Sequence, residues 1–142
     1  MKIYRMFLLI CSFSFFACSA FSAEKVPYNI EGNLEMDESE DYEIAGLNLY
    51  FYNRSERTVK EFTIVFYVFD ADGEPASFCR SNISFSVKKT IPAQEAIDVC
   101  LSLDSFFIYV PDEYCTADYM YVSRILYEDG SVWQDPFGLA LL

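Results

Sequence analysis

The chain contains no histidine. That removes the side chain that most often serves as general base near neutral pH and as metal ligand. Serine and cysteine nucleophiles are thereby left without their usual activating partner. Basic residues are scarce as well: 10 Lys and Arg stand against 22 Asp and Glu, a net charge of −12. Such a field opposes binding to nucleic acid or anionic membrane surfaces and favours cationic partners or divalent metal. Long apolar runs are also missing, because the stretch from Met6 to Ala17 is too short to span a bilayer as a stable anchor. No internal repeat is present at a period of roughly 20 to 50 residues, which excludes solenoids and propellers.

Lys2 and Arg5, the apolar stretch and then the small residues Cys18-Ser19-Ala20 and Ala20-Phe21-Ser22 follow in the order of a secretory signal peptide, expected over residues 1–23. Phe15-Phe16-Ala17-Cys18 resembles a bacterial lipobox, with Phe15 where Leu is usual. Two products are open: a free exported domain starting near residues 21–24, or a protein anchored through a lipidated Cys18. Loss of the leader removes Lys2 and Arg5 and no acid, leaving a net charge of about −14.

Residues 24–43 form an acidic lead-in, in which Val26, Tyr28 and Ile30 alternate and add an edge strand. The dense acid run Glu35–Glu43 reads as a solvated loop. The organising stretch follows. Leu47, Leu49 and Phe51 alternate with Asn48 and Tyr50, the period of a half-buried strand. Phe62 to Phe69 is aromatic or β-branched throughout, a central strand covered on both faces. The polar residues between them predict a hairpin. Asp70-Ala71-Asp72-Gly73 turns the chain into a further strand over Pro75–Val87, with Ile83, Phe85 and Val87 facing the core. Ile91-Pro92 makes the next turn, and Ala96 to Leu103 the next strand. Ala117–Tyr127 and Val132-Trp133 are joined by Glu128-Asp129-Gly130-Ser131, expected as a type I′ hairpin with Trp133 as a packing anchor. About seven strands with Gly, Pro and Asp punctuation predict an all-β, antiparallel β-sandwich.

Gly46 near a strand start, Asn53 at its end and a following strand that finishes in Phe69-Asp70-x-x-Gly73 resemble the FxLYD-type immunoglobulin-like domain of exported bacterial proteins. The Pro-led turn and strand from Ile91 to Leu103 resemble the same family, although Val68-Phe69 stands where Leu-Tyr is usual and Ala93-Gln94 where a Gly is common. The resemblance implies an immunoglobulin-like sandwich, taken here as residues 44–138, with no general chemistry attached.

Candidate sites are few. Asp70 and Asp72 invite a calcium reading, but the Gly comes too early for a helix–loop–helix calcium loop and strands flank it, so a plain turn is expected. No carboxylate pair is singled out as an acid and base. Neither catalysis nor a cofactor is expected. Cys79, Cys100 and Cys115 are an odd number for an exported chain; Cys100–Cys115, Cys79–Cys100 or free semi-buried thiols are the alternatives. Asp104 or Ser105 is expected to cap a short helical turn carrying Phe106, Phe107 and Ile108. That segment either covers one open end of the sandwich or offers Phe106, Phe107 and Tyr109 to a partner. The expectation is a non-enzymatic envelope protein that contacts another envelope or extracellular protein. A ligand- or divalent-cation-binding module is the alternative.

Overall fold

The computed structural model describes residues 26–36 and 39–141. The expected signal peptide and Cys18 lie outside the described residues. Seven strands follow in order: β1 (Tyr28–Glu35), β2 (Gly46–Asn53), β3 (Val59–Phe69), β4 (Asn82–Val87), β5 (Ala96–Ser102), β6 (Thr116–Tyr127) and β7 (Val132–Gln134). They form two antiparallel sheets, one ordered β1-β2-β5 and the other β4-β3-β6-β7. The expected all-β sandwich is therefore present, and the lead-in supplies an edge strand as its alternation implies.

Period-two patterning builds the core. Leu47, Leu49 and Phe51 point inward from β2, and Phe62, Ile64, Phe66 and Val68 from β3; all are buried. Burying each such side chain contributes about 1.5–3 kcal/mol. The rings of Phe51 and Phe62 stack across the two sheets with centroids 4.1 Å apart. Trp133 is buried against Tyr28 in an edge-on contact at 5.6 Å. Gly46 has no side chain because the ring of Tyr42 occupies the place of its Cβ.

The expected β2–β3 hairpin is not formed. β2 pairs with β1 and β5, whereas β3 pairs with β4 and β6, so the connection crosses from one sheet to the other. Asn53 fixes that crossing from a fully buried position. Its amide donates to the carbonyls of Arg57 (2.8 Å), Pro92 (2.9 Å) and Ile91 (3.2 Å). Its carbonyl accepts the Ser55 N–H and hydroxyl at 3.1 and 2.7 Å. One side chain thus ties the crossing to the turn before β5.

Three further expectations change in detail. The strand read over Pro75–Val87 is regular only from Asn82, because the preceding residues leave the sheet. There Ile108 donates to the Phe78 carbonyl (2.8 Å) and Arg80 to that of Phe106 (3.1 Å). The β6–β7 turn is not type I′, which needs positive φ at two central residues. Only Gly130 is left-handed there (φ 82°), with its N–H on the Tyr127 carbonyl at 3.1 Å and Tyr127 N–H on Ser131 O at 3.0 Å. This is a three-residue loop ending in a left-handed glycine. The short helical turn at Asp104–Phe106 is a 3₁₀ turn with no side-chain cap. Asp104 instead reaches back to residues 43–45.

Candidate functional site

Asp104 shapes one end of the sandwich. Its carboxylate accepts the backbone N–H groups of Ile44 (2.7 Å), Glu43 (2.8 Å) and Ala45 (3.0 Å). Burial pushes the carboxyl up, but these three N–H groups and the Ser102 hydroxyl outweigh it and hold the pKa down at about 2. The end loop is thereby pinned to the entry of β2.

Phe106 and Phe107, expected either to cap the sandwich end or to contact a partner, are half-buried anchors. Phe106 packs on Phe85 with centroids 6.2 Å apart, and Phe107 stacks on Phe78 at 5.9 Å. Tyr109 alone of the three candidates is exposed, at 55%. Its neighbours Ile108 (76%), Val110 (64%) and Tyr114 (73%) are more so, and alternation could not identify them because the loop has no period. The two Phe side chains cover the sandwich end, and the residues after them form an exposed apolar tip beside Asp112 and Glu113.

The three cysteines among the described residues, Cys79, Cys100 and Cys115, are free thiols. Cys100 faces outward from β5 in the row that holds Asn33 and Asn48, whereas Cys79 and Cys115 are buried. Cys100–Cys115 and Cys79–Cys100, the pairings the sequence left open, are not formed. Burial, then the neighbouring Cys115, pushes the Cys79 thiol up to about 11; burial does the same for Cys115, also to about 11. The Cys115 sulfur lies 3.2 Å from that of Met36.

Asp70 serves its own turn, accepting the N–H groups of Glu74 (2.9 Å) and Asp72 (3.0 Å) on one carboxylate oxygen. Among the described residues, no group of three His, Cys, Asp or Glu side chains is placed to hold a metal ion.

A second surface was not legible in the sequence. The outer face of β3 and β6 carries a groove of about 530 Å³ lined by Tyr67, Phe69, Tyr119, Tyr121 and Phe137 with Met120. It exists because β6 bulges: Asp118 pairs with Tyr67 and Tyr121 with Val65, so Tyr119 and Met120 together oppose Phe66. Tyr119 sits at φ 52°, a left-handed conformation that costs a non-glycine residue about 1 kcal/mol or more. The extra residue turns its ring outward, edge-on to Phe69 (5.8 Å) and Tyr67 (6.4 Å). The density of tyrosines in Ala117–Tyr121 was the available signal, but the bulge that gathers them is not encoded in a period-two pattern.

No family model matches the chain, and no curated protein matches it. Among solved structures the chain is similar to a hypothetical protein from Peptoclostridium difficile 630, determined by X-ray diffraction at 1.85 Å. The TM-score is 0.55 at 13% identity, over 79% of this chain and 88% of that one. At that identity the likeness shows the fold alone.

Proposed function

We propose that this chain is an exported, non-enzymatic envelope protein with an immunoglobulin-like fold of the FxLYD type that works through protein contacts. The charge–apolar–small order of residues 1–23 supports export, with Cys18 as the candidate lipid anchor. The sheet orders β1-β2-β5 and β4-β3-β6-β7 support the immunoglobulin-like assignment, since they match sandwiches in which strands A, B and E face C′, C, F and G. The observation that carries the contact role is the tip Ile108-Tyr109-Val110 with Tyr114, exposed on a loop whose base is anchored by Phe106, Phe107 and Asp104. An apolar tip on a pinned base presents contact area with little ordering cost. The surrounding acids favour a partner with a basic rim.

The test is co-purification from an envelope fraction with wild type and with an Ile108→Ser, Tyr109→Ser double variant. Loss of the partner at unchanged melting temperature is expected. A partner retained by a folded double variant would place the contact elsewhere. The alternative, a ligand-binding module, draws its support from the aromatic groove on the outer face of β3 and β6.

A further inference from the structure

The groove between β6 and the segment after β7 is built, not incidental. Its far wall is tied down by Asp135, a buried carboxylate that accepts the N–H groups of Ala140 (2.9 Å) and Leu139 (3.0 Å). The Tyr121 hydroxyl donates to the Pro136 carbonyl at 3.2 Å. Gly138, at φ 68°, lies so close to the Tyr121 ring that a Cβ would stand 3.0 Å from it. The near wall depends on the strained Tyr119. Strain retained in a binding surface is characteristic of ligand clamps.

The chemistry of the lining narrows the ligand. Five aromatic rings line the groove and no Lys or Arg does. Ring faces carry negative electrostatic potential and attract cations, best when the cation is poorly hydrated. Asp135 lies behind the wall with no ion-pair partner among the described residues, and its charge is felt at Tyr121, whose hydroxyl is pushed up by burial first and then by Tyr67 and Asp135. The whole chain adds a negative field. An anion is disfavoured on all these counts. A strongly hydrated ammonium would lose its water shell to groups that cannot replace the hydrogen bonds, whereas a methylated one has none to lose.

We propose that this groove binds a small quaternary ammonium cation of the choline type, its methyl shell lying against Tyr67, Tyr119, Tyr121 and Phe137. The proposal rests on the ligand-binding reading and gives it a chemistry; it is independent of the contact at the Ile108 tip.

The test is an NMR titration of amide shifts with choline chloride and, in parallel, with its neutral isostere dimethylbutanol, at constant ionic strength. Choline should cause saturable shifts around Tyr67, Tyr119 and Tyr121, with an affinity about tenfold above that of the isostere. Tyr119→Gly should keep the fold, since glycine accepts the left-handed conformation, and weaken choline binding about fivefold or more. Phe137 is 77% exposed, so Phe137→Ala gives a second variant that does not disturb the core and should weaken binding likewise. Equal binding of the isostere would overturn the cation assignment and leave an apolar ligand site standing. Saturable shifts from neither compound, or shifts confined to acidic loops, would overturn the groove as the ligand site.

Discussion

The Tyr28 hydroxyl oxygen accepts the buried backbone N–H of Val122 at 3.0 Å, so a side chain of β1 completes the hydrogen bonding of β6 in the opposite sheet. Strand β7 is too short to do so, since it pairs with β6 only at Arg124, Ile125 and Leu126. Tyr28→Phe keeps the ring contacts with Phe51 and Trp133 but leaves that N–H unpaired, at a cost of about 1–3 kcal/mol. Tyr127 is the counter-example: its hydroxyl is buried without a hydrogen-bond partner among the described residues. Tyr127→Phe should leave stability unchanged or raise it by about 1 kcal/mol, with the Arg57 guanidinium still 4.0 Å from the ring centre. Urea unfolding of both variants measures the contrast, and the reverse order would refute the hydrogen-bond account.

Asp104 makes the fold acid-sensitive in a defined window. Its pKa in the folded chain is about 2, below the ordinary 3.8. The stabilisation is therefore complete above about pH 4 and fades as pH falls through the folded value. Asp104→Asn should lose about 1 kcal/mol at neutral pH, a figure reduced for solvent screening of a partly exposed group. Paired unfolding curves should converge as pH approaches about 2. A constant gap across that range would assign the loss to packing.

Asn53 should be intolerant of both shape and charge changes. Asn53→Ala strips three carbonyls of a buried donor and is expected to cost about 3 kcal/mol or more. Asn53→Asp keeps the size but points a carboxylate at the same three carbonyls, so at neutral pH it should be at least as damaging. Thermal melts of the two decide whether the amide donor matters or merely the volume.

The thiols should separate by reactivity. At pH 8 Cys79 and Cys115 are protonated and buried, because their pKa values stand near 11. Cys100 is raised too, by burial first and then by Asp41 and Glu35, but it is partly exposed. Of these three, iodoacetamide should therefore label only Cys100 in the native protein, with the other two following in denaturant. Peptide mapping of the adducts reads the order directly, and early labelling of Cys79 would contradict the buried placement.

Inward and outward faces were legible in the sequence wherever alternation was clean. Leu47, Leu49 and Phe51 point into the core as their spacing predicts, and so do Ile83 and Val87. Which sheet each strand joins was not legible, because alternation specifies a face and not a neighbour. The β2–β3 hairpin failed for that reason, and the buried amide of Asn53 redirects the chain there. Gln94 shows the same limit at one residue. Gln94 stands at φ 60°, a left-handed conformation that no side-chain pattern announces. Its amide holds that conformation by donating to the Arg54 carbonyl at 2.7 Å, while its oxygen accepts the Tyr52 hydroxyl at 3.0 Å. Of the three residues expected at a partner surface, Tyr109 is exposed and Phe106 and Phe107 are half-buried, while the exposure of Ile108, Val110 and Tyr114 depends on where the loop base is pinned.

The bulge in β6 has a consequence for how the molecule tolerates its own company. Beyond the reach of β7, β6 from Thr116 to Val122 has no ladder partner on one side among the described residues. A straight strand of that length and aromaticity would template a second copy and seed fibrous aggregation. Here the left-handed Tyr119 breaks the spacing of the free groups, and Tyr28 has already taken the Val122 N–H. An incoming strand meets neither a continuous row of donors nor a flat edge, so the same distortion that exposes the aromatic rings works against strand addition along them.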